Sequence, residues 1–182
     1  MKVAPPLGDS GPLRFLVDEH LGRLARHLRL AGFDADAPHL SDVDEAPTSS
    51  DAGDQRLLDQ AKESHRVLLT RDRALVDRAK RAGVQVHFVQ ALGQDEQFRE
   101  VLISFDALDA AASGAGFLTR CLDCNSIVHR MPRDSAMGRV PADILATQDE
   151  FFCCQRCERV YWKGSHYARM REWLDKVTRA KD

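Results

Sequence analysis

The chain is narrowed first by what it lacks. Nowhere in its 182 residues is there an apolar run near the length that a membrane span requires. No basic start leads into an apolar stretch, so no secretory signal is expected. Five cysteines are too sparse for a disulfide scaffold at this length. Reduced thiols without a targeting segment make the expected location cytoplasmic. Internal repeats are missing, apart from one short cysteine motif that occurs twice. Net charge is small too, at −2, and by itself selects no partner.

That small total hides a division. Residues 1–116 hold 14 Lys and Arg against 19 Asp and Glu, a balance of −5, whereas residues 117–182 hold 12 against 9, a balance of +3. An acidic portion can gather cations, and a basic one can meet a polyanion. With 43% apolar and 30% charged residues, the composition is that of an ordinary globule. The length suffices for one core plus a small accessory module.

The motif that occurs twice is Cys-x-x-Cys, as Cys121-Leu-Asp-Cys124 and Cys154-Gln-Arg-Cys157. Two close pairs of soft ligands are what a closed, tetrahedral structural Zn²⁺ site asks for, so no chemistry is expected at that metal. Cys153 offers a competing spacing to Cys157. Cys154 is preferred because it restores the two-residue gap of the first pair, which leaves Cys153 as a packed or free thiol.

Upstream, apolar segments alternate in period. A leader over 1–12 precedes a buried strand at 14–17, and a helix follows with Leu21, Leu24, Ala25 and Leu28 on one face before Gly32 stops it. Residues 36–53 read as a loop, 54–64 as a helix opened by Asp54, and 66–70 as a strand. A helix over 73–81, a strand over 84–89, a helix over 95–108 and a linker at 110–116 complete the first portion. Alternating strands and helices predict an α/β fold, a parallel sheet covered on both faces. The expected division is 13–110 for this domain and 117–182 for a zinc ribbon with a C-terminal helix. In that helix, Ser165 is the expected N-cap, and Met170, Trp173, Leu174 and Val177 dock on the body.

In an open parallel sheet, functional groups gather at the carboxyl ends of the strands. Asp18 follows the first strand directly, and Asp72 lies two residues past the second; Asp54 starts the helix leading into it. Three carboxylates in one cleft need cations, and oxygen-only ligation suits Mg²⁺ or Mn²⁺, which can activate water and offset charge on a phosphodiester. Asp is equally a common N-cap, which accounts for Asp54 and Asp72 without any metal.

Longer motifs narrow this further: Val17-Asp-Glu-His-Leu-Gly-Arg-Leu-Ala-Arg-His-Leu-Arg-Leu-Ala-Gly-Phe-Asp34, Leu68-Leu-Thr-Arg-Asp-Arg73, Phe117-Leu-Thr-Arg-Cys-Leu-Asp-Cys124, and Val160-Tyr-Trp-Lys-Gly-Ser-His166 with Arg169-Met170. In this order they resemble the Mut-seven C-terminal ribonuclease domain family, over about Phe15 to Leu174. The resemblance implies a PIN-like, metal-dependent ribonuclease joined to a zinc ribbon, with Asp18, Asp54 and Asp72 as the catalytic acids holding Mg²⁺ or Mn²⁺. Glu19 is an adjacent acid of the kind related proteins share. For a fourth carboxylate, Asp95 is the nearest residue, without a matching motif.

RNA is then the expected partner. Arg71 and Arg73 flank Asp72 and suit phosphate oxygens. Arg23 and Arg26 either reach the same cleft or form a solvated helix face. In the ribbon, Lys163, Tyr161, Trp162 and His166 combine cations with rings, as single-stranded RNA binding requires, although Tyr161 or Trp162 is expected to pack the module instead. His166 is expected to be structural or RNA-facing, since four thiolates already complete the metal site. Two other functions share these features: a non-catalytic RNA-binding adaptor, and the toxin of a toxin–antitoxin pair.

Overall fold

In a computed structural model, the residues described are 13–38 and 50–180. The expected leader and most of the loop expected at 36–53 lie outside them. The first portion is a parallel sheet of β1 (Arg14–Val17), β2 (Asp34–Asp36), β3 (Val67–Thr70) and β4 (Val86–Phe88), in the order β2-β1-β3-β4. The central strands carry almost unbroken apolar runs because helices cover both faces.

Strand alternation sorts those runs. Phe15 and Val17 of β1, with Val67 and Leu69 of β3, face α1 (Gly22–Leu30), α4 (Gln94–Ser104) and α5 (Leu108–Ser113). Leu16 and Leu68 face α2 (Ser50–Glu63) and α3 (Arg73–Arg81) through Leu57, Leu58, Ala61, Leu75 and Ala79. Burying each such Leu or Phe contributes about 1.5–3 kcal/mol. The mixed α/β architecture is therefore as the periodicity predicts.

Several boundaries differ from expectation, for local reasons. α2 begins at Ser50, so Asp54 sits inside the helix rather than opening it. The helix expected over 95–108 breaks at Asp106, whose φ of 51° is left-handed, and α5 fills part of the expected linker. Strand β2 is an edge strand of Asp-Ala-Asp with no apolar signal. Its hydrogen-bonding partners come from far along the chain.

One of them, Asn125, belongs to the second portion, which holds an antiparallel sheet of β5 (Val128–Met131), β6 (Phe151–Cys154) and β7 (Val160–Trp162), with α6 (Ala142–Thr147) and α7 (Ser165–Arg179). Helix α7 starts after Gly164, with no side-chain cap from the expected Ser165. Leu174 and Val177 of α7 join the α1 and α4 core, as the sequence predicts. The second portion thus leans on the first with both its ends.

The other end is polar. Asn125 accepts from Ala35 N (3.1 Å) and donates to Asp34 Oδ1 (2.7 Å), serving β2 as a missing neighbour would. Buried Arg29 donates through Nε to Ala35 O (2.6 Å) and through Nη1 to Asp123 O (2.7 Å) and Leu122 O (3.1 Å). Asp34 also pairs with Arg66 at 2.5 Å. Nearby, Gly32 (φ 97°) and Gly116 meet backbone to backbone, and a Cβ on Gly32 would run into the Gly116 carbonyl.

Two outcomes follow for stability. Gly83 (φ 70°) has no atom within 4 Å of its Cβ position, so Gly83→Ala carries only the left-handed penalty of about 1–2 kcal/mol. Gly32→Ala is expected to exceed it by at least about 1 kcal/mol in urea unfolding, because strain is added to a backbone collision. Equal midpoint shifts would refute that close approach.

Burial pushes the Asp34 carboxyl up, but hydrogen bonds from Arg66 and Asn125 and the charges of Arg66 and Arg120 outweigh it and hold it below its usual value. A depressed folded value means stability that is complete above the unfolded value, about 3.9, and is lost as pH falls through the folded one. Asp34→Asn should flatten the acid limb of the stability–pH curve. A limb as steep as the parent's would count against this role.

Candidate active site and cysteine cluster

With the order β2-β1-β3-β4, strand order reverses between β1 and β3, and ligands of open α/β sheets bind beyond the carboxyl ends at such a point. Asp18 and the Thr70–Asp72 turn stand at those two ends. Asp18 is buried, and its Oδ2 accepts from Thr70 Oγ1 at 2.6 Å. That same hydroxyl oxygen accepts from Asp72 N at 3.0 Å. Thr70, fully buried, therefore ties the two acidic turns together, a role no motif announced.

Asp72 also caps α3, its Oδ1 accepting from Ala74 N (2.7 Å) and Leu75 N (3.2 Å). The N-cap reading therefore holds at Asp72, which stands at the same strand ends as Asp18 without lining the neighbouring cleft. Asp54 joins from α2. Burial holds its carboxyl above the usual value, Arg78 opposes this, and the charges of Asp72, Asp18 and Asp51 add to the upward push. The three expected acids therefore share one electrostatic field. Arg78, unmarked in the sequence, supplies the positive charge through Nη1 to Asp54 Oδ2 (3.0 Å) and Asp51 Oδ1 (3.1 Å).

Beside Asp18 lies a cleft of about 620 Å³, lined by Glu19, His20, Arg23, Arg71, Leu92 and Gln97 among others. Arg23 and Arg71 are thus brought to one opening, as one of the sequence alternatives held. The far wall is the loop after β4. Glu100 fixes it by accepting from Gln90 N (3.0 Å) and Ala91 N (2.8 Å), and Gln97 Nε2 donates to Ala91 O (3.2 Å).

The remaining expected residues lie elsewhere. Arg26 pairs with Asp123 at 3.1 Å, Arg73 lies 4.7 Å over the Phe88 ring, and Lys163 pairs with Glu150 at 2.6 Å. Asp95 accepts from Trp173 Nε1 at 2.9 Å, so its carboxylate is engaged with α7.

Among the described residues, the only group of three or more His, Cys, Asp or Glu whose ligand atoms lie within 4.8 Å of one another is Cys121, Cys124, Cys154 and Cys157. The spacing suits a tetrahedral ion, since Zn–S bonds of about 2.3 Å set sulfurs roughly 3.8 Å apart. The two turns are built alike. Cys121 N donates to Ser126 O (2.8 Å) and Cys154 N to Arg159 O (3.0 Å), and the residue after each pair, Asn125 or Glu158, is left-handed.

Burial works against ionising Cys124, but hydrogen bonds from the Ser126 backbone and side chain and from Cys154 and Cys121 bring it down to about 6. Burial pushes Cys157 up to about 12, reinforced by its hydrogen bonds with Cys121, Cys154 and Cys124. Tyr161 Oη lies 3.1 Å from Cys121 Sγ and accepts from Leu122 N at 3.2 Å, so this ring packs the module. Cys153 points the other way along β6 and accepts from Arg139 at 3.1 Å. His166 is also outside the cluster.

One zinc per chain is the expected content by atomic emission after gel filtration, retained by Cys153→Ser and lost from Cys154→Ser. Tyr161→Phe should weaken zinc retention against a chelator roughly 10–100-fold, since it removes a second-sphere partner. Zinc loss from Cys153→Ser would reassign the fourth ligand.

No helix among the described residues is long and apolar enough to cross a membrane. Comparison with curated proteins and with solved structures finds no match. The family model described as Mut7-C RNAse domain matches residues 13–174, a span that takes in both the acidic cleft and the cysteine cluster. The chain belongs to the Mut7-C RNAse domain family.

Proposed function

We propose that the protein is a PIN-like, divalent-cation-dependent endoribonuclease whose RNA is positioned by a zinc ribbon. The observation that carries this reading is the convergence of Asp18, Asp72 and Asp54 on the β1–β3 switch point, beside a cleft that holds Arg23 and Arg71. Burial first, and then the charges of Asp72, Asp18 and Asp51, hold the Asp54 carboxyl above its usual value, and a cation there would favour its ionised form. The three carboxylates do not bring their oxygens within 4.8 Å of one another, so an ion held among them would meet some of them through its retained waters. Asp18, Asp54 and Asp72 would hold Mg²⁺ or Mn²⁺, which supplies Lewis acidity toward the phosphate and lowers the pKa of water.

The chain's own residues prepare the reaction. Thr70 fixes the rotamer of Asp18 by its hydrogen bond, leaving the other carboxylate oxygen for the cation. Asp72 spends Oδ1 on its helix cap and keeps Oδ2 for the cation. Arg23 and Arg71 would clamp the phosphate that is cut, aligning the bond before reaction. Arg78 neutralises Asp54 meanwhile and would yield when the cation arrives. The cysteine cluster, which could bind zinc, holds the second portion rigid against α1.

The test is cleavage of a mixed single-stranded and structured RNA pool with Mn²⁺ or Mg²⁺. Asp18→Asn and Asp72→Asn should each lower the rate at least 100-fold with the fold retained. Thr70→Val should cost about tenfold, because it frees the Asp18 side chain. Retained RNA binding without turnover in the parent protein would instead identify a binding adaptor.

A further inference from the structure

We propose that the cavity between α1, the first cysteine turn and α7 is a second RNA subsite, which takes one unpaired base of the strand whose backbone crosses the acidic cleft. This rests on the ribonuclease reading and adds to it a place where single-stranded character is read.

The cavity measures about 240 Å³. About 150 Å³ already accommodates a benzene ring, so a heterocyclic base fits. Its aromatic wall belongs to a three-ring cluster, with the Trp173 ring 4.2 Å from His27 and 5.2 Å from Phe98, and those two 6.1 Å apart. Trp173 does not turn freely, because its Nε1 donates to Asp95 and its ring packs against both His27 and Phe98. A ring fixed in advance stacks on a base at low entropic cost, and such stacking contributes about 1–3 kcal/mol per base.

The rim is cationic. Arg26, His166 and Arg169 line the opening, and Met170 and Leu122 complete the apolar floor. Arg26 is held there by Asp123. His27 contributes one more feature: its Nδ1 is buried and has no hydrogen-bond partner among the described residues. That nitrogen faces the protein interior rather than the opening, so recognition here rests on the rings and the cations. Cations around rings are the chemistry of an unpaired nucleotide rather than of an apolar peptide.

Position supports the assignment. Arg23 lines the acidic cleft, and Arg26 and His27 line this cavity, on the same helix. They are separated by about one turn, roughly 5.4 Å. A strand whose phosphate meets Arg23 can therefore place a neighbouring nucleotide here without a long detour. The wall formed by Leu122 exists only because the first cysteine turn docks on α1 through Arg29.

The chain has two tryptophans, so Trp162→Phe leaves Trp173 as the sole indole reporter. This protein, with no divalent cation added, is titrated with an eight-nucleotide single-stranded RNA. Expected is saturable quenching of Trp173, weakened at least tenfold by Arg169→Gln, an exposed position whose change spares the core. Polyphosphate of matched charge should bind without that quenching. RNA binding with Trp173 unchanged, equal quenching by polyphosphate, or full affinity in Arg169→Gln would each overturn the subsite. Cleavage with Mn²⁺, followed in parallel on the parent protein, reads the ribonuclease assignment separately: activity with no Trp173 response sinks the subsite alone.

Discussion

The junction around Asp34 is the constraint on which most of the structure depends. An edge strand of two acids and one alanine has no reason to pair with β1 by itself. Arg66 and Asn125 supply that reason, joined by Arg29 on the neighbouring backbone. Asn125 is also the left-handed residue that ends the first cysteine turn. The conformation that closes the thiol cluster is thus the one that aims an amide at the parallel sheet. Breaking one member would leave several buried polar groups unpaired, which is costlier than the bonds themselves.

This arrangement distributes rigidity unevenly. Apolar layers fix the centre of the sheet, where β1 and β3 are buried on both faces. The carboxyl ends of those strands carry the opposite balance: burial and the charges of Asp72 and Asp18 act against ionised Asp54, and Arg78 is its counter-ion. A fold whose core is secure can tolerate a destabilised site, and repulsion that a bound cation would relieve is what a binding site needs.

Much of this was legible in the sequence, and the rest was hidden for physical reasons. Period-two and period-3.6 patterns gave the alternation of strands and helices, because burial on two faces writes itself into residue order. Cysteine spacing singled out Cys154 over Cys153, since adjacent strand residues face opposite sides. Strand β2 was missed because its stability comes in large part from Asn125 and Arg66, remote in sequence. Thr70 and Arg78 were missed for a similar reason: neither residue type at its position signals a role until Asp18 and Asp54 are beside it. The partners of Arg26 and Lys163 were equally hidden, since a cation in a suggestive motif does not announce the carboxylate beside it, here Asp123 and Glu150.

Helix α1 shows how these parts combine. Nine residues long, it buries Leu24, Ala25 and Leu28 against the sheet. Arg23 turns to the acidic cleft, Arg26 and His27 to the aromatic cavity, and Arg29 to the carbonyls of the first cysteine turn. Side chains on so short a helix cannot move independently when its core face is packed, because a shift of the axis displaces all four surfaces together. The cysteine module, gripping α1 through Arg29 and through α7, therefore sets where Arg23 stands relative to Asp18. The module's place in the molecule is then not that of an appendage: it fixes the helix that carries Arg23 to the cleft.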